Sequence, residues 1–451
     1  MLSRKRLLLL LAAFLLTFSV RFLTLQFMRA HLNEPGWFQV GSYAKFDRQA
    51  RAILNGQQRL FWIDDPTRTD LAQYPPAFPT VVALIYNFSS EPSAYAVQSV
   101  QWIVDLFVSF ILVTGIAWSA FGSRAAIAAS FVFAFSPLFA LYGAYPSADA
   151  PTTWFVLAGV WLLILAAQRT NVWFALGAGV SLGIACWFRV NPLYLCVGFA
   201  FALLVFTRAA WQGRIKMAAM VLLGSIVVIA PIVVRNYLVF PDFTPTGGTI
   251  GANLWEGLGE TELGREHGFI LGDDKMVDVE RTKFNLPADA HVGWPDGIRR
   301  DRERTRESLA FIKQHPVWYA GVMLGRMWGM LKIAGDPMPY SGTSGINVTS
   351  AKCLSAARQG GVIAAFVNVL GMIQSVVRYL FLPLAVFGLC VALRHDWRLS
   401  CLLLVTVLYY LVPGTVAHTE IRYVLPMQAL LVVFAGCSFT IKRGESNQRG
   451  V

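Results

Sequence analysis

Long runs of apolar side chains dictate the fold class of this chain. Several approach or exceed the ~20 residues needed to cross a lipid bilayer as a helix. The first, "RKRLLLLLAAFLLTFSV", starts at residue 4, and others recur through to residue 441. A chain of 451 residues that is 56% hydrophobic and only 14% charged is too apolar to hide its side chains in a water-soluble core. The reading is an all-α polytopic membrane protein of about ten transmembrane helices, with additional helices lying in the membrane interface.

The net charge of +12 admits nucleic acid as a partner, but most Lys and Arg cluster at the ends of apolar runs. That placement is the positive-inside signature of membrane topology. No nucleic-acid role is expected. Arg4, Lys5 and Arg6 set the N-terminus in the cytoplasm. No A-x-A site follows the first run, so it reads as an uncleaved helix rather than a signal peptide. The expected spans are 7–28, 97–120, 125–143, 152–167, 172–188, 193–207, 217–234, 373–393, 399–414 and 423–441. They return the basic tail 442–451 to the cytoplasm and leave 29–95 and 235–360 as external segments of one domain, 1–441. Two shorter apolar stretches, 75–88 and 316–334, break the charge rule if counted as spans and read as interfacial helices. No inverted internal repeat of the transporter kind is visible. Five of the six cysteines sit in apolar runs and one, Cys353, in a loop; no metal or disulfide spacing is present.

This topology collects unusual residues on the external side. Asp47 lies in a helical stretch, and Asp149 opens a span. Arg189 with Asn191, and Arg235 with Asn236, close two more. Arg422 and Tyr423 open the last, after His418 and Glu420. Each has an ordinary explanation: an acid can cap a helix, an arginine can anchor in headgroups, His418 can be structural, and Asp64, Asp65 and Asp70 read as solvated loop. Three external arginines nonetheless run against the positive-inside bias. Convergent guanidinium groups suit a phosphate, which they grip with paired hydrogen bonds. A nearby carboxylate can take a proton from a hydroxyl. A phosphate leaving group needs charge stabilisation, from Arg or from a divalent cation such as Mg or Mn. No complete set of metal ligands is visible, so the sequence leaves the metal open.

Several stretches, in order over almost the whole length, resemble the GT-C class of membrane glycosyltransferases. The resemblance is to bacterial relatives of protein O-mannosyltransferases and of the lipid A aminoarabinose transferase. The stretches are "DRQARAILNG" with "YPPAFPTVVALIY", "SPLFALYGAYPSADAPTTWFVLAGVWLL", "WFRVNPLYL", "APIVVRNYLVF" with "GGTIGANLWEG", "ESLAFIKQHPVWYAGVMLGRMWGML" and "HTEIRYVLP". The resemblance implies a polyprenyl-phosphate-sugar donor and a lipid, polysaccharide or protein acceptor. It also implies an active site on the external face of a bacterial inner membrane. Residue by residue it carries Asp149 as the acid of the second external loop, Arg235 and Asn236 as the R-N pair, Asn253 as the loop asparagine, and Arg422 and Tyr423 as the R-Y pair. One departure stands out. The family's first-loop Asp falls on Ser42, four residues before Phe46, and Asp47 is the nearest carboxylate. The loop after Arg235, with Gly247, Gly248 and Gly251, would wrap over the donor. Two other classes remain open: a lipid or solute transporter, kept alive by Arg21 and Arg378 inside spans, and a non-catalytic envelope scaffold, favoured by Ser42.

Overall fold

The computed structural model describes residues 3–30, 42–57, 75–240, 242–245, 247, 250–331, 361–418 and 420–440. Among these residues the secondary structure is helical, with a lone β-bridge between His291 and Trp294. The acids 64, 65 and 70, Cys353, Gly248 and the tail 442–451 lie outside them, as does the side chain of Arg378.

The membrane body runs through α1 (Arg4–Ala30), α2 (Ser42–Leu54), α3 (Ala77–Phe88), α4 (Ala94–Phe121), α5 (Ser123–Ala134), α6 (Pro137–Ala144), α7 (Asp149–Arg169), α8 (Val172–Phe188), α9 (Leu195–Phe206) and α10 (Trp211–Val239). A second group follows: α11 (Ile250–Gly259), α12 (Glu262–Glu266), α13 (Asp273–Phe284), α14 (Gly297–Gln314) and α15 (Pro316–Met330). The chain re-enters the body in α16 (Gly361–Leu411) and, after short 3-10 turns, α17 (Leu425–Cys437).

Each of the ten expected apolar runs is helical over most of its described length. Six helical stretches have the length and hydropathy to cross a membrane, and a bent pair makes a seventh. The shorter α8 and α9, of 17 and 12 residues, fall below a full crossing, so the number of spans is not ten by length alone. The stretch expected as one helix over 125–143 breaks between α5 and α6. Pro137 has no N–H to continue the ladder and pushes Ser136 into an extended conformation (φ −67°, ψ 118°). The turn expected near 394–398 is a kink within α16 at Asp396 (φ −151°, ψ 96°). Its Oδ1 accepts the N–H groups of Arg398 (3.0 Å) and Leu399 (3.2 Å), which caps the second half as a new helix start.

Packing centres on α17, every residue of which is buried. Around it the apolar core continues through α4, α5, α7, α8 and α16. Helices α8 and α10 approach through small residues. A Cβ on Gly224 would stand 2.5 Å from the carbonyl oxygen of Leu176, and one on Gly183 would stand 2.6 Å from Val228. In lipid, such close backbone approach replaces the hydrophobic drive that water supplies elsewhere.

Arg21 is not a free intramembrane charge. It is ion-paired with Asp105 of α4, both buried, and its guanidinium lies over Phe133 at 4.8 Å. Asp105 also accepts from Trp154 Nε1 and Ser109 Oγ, each at 2.6 Å. The pair is sealed among α1, α4 and α7, as a structural tie rather than a transport path.

Candidate active site

The site is assembled by a helical hairpin. Helix α7 ends at Thr170 in the left-handed conformation, and Asn171 starts α8 by accepting the N–H of Trp173 at 2.8 Å. Reversal there sets the start of α7 beside the end of α8. Asp149 opens α7 and is 2% exposed; Arg189 follows α8 in extended backbone (φ −150°, ψ 143°), which swings its side chain off the helix end. The two meet with Arg189 Nε 2.8 Å from Asp149 Oδ1 and Nη2 3.3 Å from Oδ2. Asp149 lies in the first turn of α7, where its charge complements the helix dipole. Its carboxylate is committed to Arg189.

Arg422 and Tyr423 arrive from the 3-10 turn Ile421–Val424 that leads into α17. The Tyr423 ring is flanked by both guanidinium groups, Arg189 at 4.8 Å and Arg422 at 5.2 Å. Asp149, Thr152, Arg189, Asn191, Arg422 and Tyr423 together line a small, partly open cavity. Arg422 is held from behind by Glu420, with Nε–Oε2 at 2.5 Å. Burial alone would raise the Glu420 carboxyl, but Arg422 and His418 outweigh it and bring it down to about 2.

The other sequence candidates, Asp47, Arg235, Asn236 and Asn253, are not among the residues that line this cavity. Asp47 accepts the Tyr86 hydroxyl at 2.5 Å and Arg51 Nε at 3.0 Å. Tyr86 also pairs with Tyr43 at 2.7 Å. The α2–α3 cluster built on Tyr43, Phe46 and Phe78 includes Ala148 and packs on Phe188, the neighbours of Asp149 and Arg189. Asp47 therefore belongs to an adjoining layer, and Ser42 opens α2 one turn earlier. Arg235 is buried and donates to Asn236 Oδ1 from Nε (2.9 Å) and Nη2 (2.6 Å). Asn236 donates onward to the Thr244 carbonyl at 2.9 Å. The R-N pair thus fastens the turn that follows α10. Asn253 acts through its backbone, its carbonyl accepting the N–H of His418 at 2.7 Å. Gly251 opens α11 against α14 rather than lying in a loop: its N–H and that of Ala252 donate to Asp301 (3.1 and 2.9 Å), leaving no room for a Cβ.

Sequence reasoning passed over Glu260 and treated Arg326 only as a misfit in an apolar stretch. Buried Arg326 joins Glu260 (3.3 Å), the Gly257 carbonyl (2.6 Å) and the Thr415 carbonyl (3.0 Å), locking α15 and α11 to the segment before Arg422. A lone arginine in an apolar helix was the available signal.

Among the described residues no group of three or more His, Cys, Asp and Glu side chains could hold a metal. The cavity's donor set does not fit Mg or Mn, which bind through several oxygen ligands: its carboxylate is paired with Arg189 and a second guanidinium shares the space.

The fold and cavity define a multi-pass, all-α membrane protein with an arginine–carboxylate site at the ends of its helices. Residues 73–234 match the family model described as dolichyl-phosphate-mannose-protein mannosyltransferase, a GT-C family, in agreement with the resemblance drawn from the motifs. Solved structures of the Archaeoglobus fulgidus oligosaccharyltransferase also align. One, tethered with an acceptor peptide containing the NVT sequon, gives a TM-score of 0.49 at 15% identity, covering 96% of this chain and 49% of that chain. A second, archaeal AglB with an inhibitory peptide and a dolichol-phosphate, gives 0.49 at 15% identity, covering 96% and 50%. The apo form gives 0.47 at 14% identity, covering 95% and 50%. This chain spans about half the length of those structures. No curated protein sequence matches it.

Proposed function

We propose that this protein is an integral-membrane glycosyltransferase that moves a sugar from a polyprenyl-phosphate donor to an acceptor on the external face of a bacterial inner membrane. The single observation that carries the reading is the meeting of Asp149, Arg189, Arg422 and Tyr423 around one cavity from three separate parts of the chain. The family match over 73–234 supports the same donor class. Residues 1–441 form one transferase domain, with 29–95 and 235–360 external and both termini cytoplasmic.

Transfer proceeds with inversion. An acceptor hydroxyl forms a bond to the anomeric carbon and gives its proton to a carboxylate. The bond from that carbon to the phosphate oxygen breaks, and the polyprenyl phosphate leaves with the electron pair. Arg189 and Arg422 stabilise the charge that develops on the phosphate. Asp149, which lines the cavity, is assigned as the base, with Asp47 in the adjoining layer as the second carboxylate. Arg235, Asn236 and Asn253 hold the segment that closes over the donor. The acceptor is a lipid, polysaccharide or protein.

Purified protein given a polyprenyl-phosphate-linked radiolabelled sugar and a cell-envelope extract should move label from the lipid to an acceptor. Uptake of the lipid or sugar into proteoliposomes without bond cleavage would instead identify a transporter.

A further inference from the structure

Behind Arg422 lies a buried cluster that the transfer step leaves unused. His418 stands between two carboxylates: Nδ1 is 2.6 Å from Glu260 and Nε2 is 3.6 Å from Glu420. A neutral imidazole carries one N–H, whereas the imidazolium offers a proton to Glu260 and turns its second N–H toward the charge of Glu420, so the two flanking carboxylates favour the charged ring. Its position is fixed by its own N–H, donated to the Asn253 carbonyl. Glu420 is the same carboxylate that grips Arg422 at the cavity wall, and Glu260 is the one that meets Arg326. The surroundings thus contain three carboxylate–guanidinium pairs: Asp149 with Arg189, Glu420 with Arg422, and Glu260 with Arg326. The imidazolium is a positive charge beyond those pairs.

We propose that His418 is a positioning residue for Arg422. By sharing Glu420, the imidazolium keeps that carboxylate from neutralising Arg422 in full, and so leaves the cavity positive toward a phosphate-headed lipid. The inference rests on the phosphate-binding reading above. It also makes binding pH-dependent. The charged and titratable groups around His418 are Glu260, Glu420 and Tyr423, with Glu256 on α11, and with Arg326 and Arg422 beyond the two carboxylates they pair with. Burial would lower the imidazole, but Glu260 and Glu420 outweigh that and hold it well above its ordinary value. Glu256, pushed up to about 7 by burial and by Asp273, offsets the imidazolium only in part near neutrality. The charged histidine therefore persists at neutral pH and is lost as pH rises through its raised value.

The test is binding of decaprenyl phosphate, with uncharged decaprenol as the control, to the full-length protein in detergent between about pH 7 and about pH 10. The wild type should prefer the phosphate lipid, and that preference should fade on the alkaline side. His418→Gln should bind the phosphate lipid on the order of tenfold more weakly at neutral pH, with a flattened profile and unchanged decaprenol binding. Glu260→Gln should keep binding at neutral pH but move the alkaline decline to lower pH, because the imidazolium loses one of its two carboxylates. If His418→Gln does not fold, the shift between wild type and Glu260→Gln decides alone. Identical affinity and profile in these variants would overturn the role of His418 while leaving the phosphate site standing. A wild type with no preference for phosphate over decaprenol would overturn both.

Discussion

Asp149 and Arg189 illustrate what one buried pair contributes to this site. Each side chain removes the other's cost of burial, and each remains on the cavity wall. Asp149→Asn keeps the shape and removes the carboxylate; label transfer should fall by at least ~100-fold, the scale of a lost general base, with expression intact. Asp47→Asn should cost less, since Asp47 lies outside the lining; an equal or larger loss in the same assay would reassign the base to α2. Arg189 touches both oxygens of Asp149 and stacks on Tyr423. A lysine cannot do both at once. Arg189→Lys should weaken donor binding roughly tenfold by titration with the phosphate lipid, whereas Arg189→Ala should also lower stability by about 3 kcal/mol or more by stranding a buried carboxylate.

At the scale of elements, the site depends on how closely α8 can lie against its neighbours. Gly179 and Gly183 sit one helical turn apart on α8, and each would meet α10 with an added Cβ. Gly179→Leu should therefore destabilise the body by ~1–3 kcal/mol or more, read as a lower melting temperature in detergent, and should loosen Arg189 at the helix end. The helices themselves were legible in the sequence, because long apolar runs have few alternatives in lipid. The kink at Asp396 was legible as a charged turn. The break at Pro137 was not, because proline is tolerated in membrane helices when neighbours re-satisfy the backbone. The α2–α3 pair was legible as two helices, but not its seat beside Ala148 and Phe188, which follows from contacts between distant parts of the chain.

For the molecule as a whole, the join between the α11–α15 group and the membrane body sets how the protein responds to pH. Glu256 is half-buried on α11 and accepts the Gly272 N–H at 3.1 Å. Burial and the charge of Asp273 raise its carboxyl from 4.5 to about 7. An acid raised on folding contributes stability that is complete below its unfolded value and is lost as pH rises through its folded value. The melting temperature should thus fall between about pH 4.5 and about pH 7 and level off above, and Glu256→Gln should flatten that slope. A wild-type melting curve unchanged across the interval would refute this account of the join.

From its residues alone the chain settled that it must be an all-helical membrane protein, with its unusual acids and arginines at the ends of helices. That much follows from the thickness of a bilayer and the cost of charge within it, which are properties of the solvent. Which of those groups meet was decided by tertiary structure. Asp149, Arg189, Arg422 and Tyr423 converge because a helical hairpin and a distant 3-10 turn share one end of the bundle, while Arg235 is turned aside by its neighbour Asn236. Spacing along the chain carries no record of such meetings, since helix packing, not separation in sequence, sets the distance between side chains.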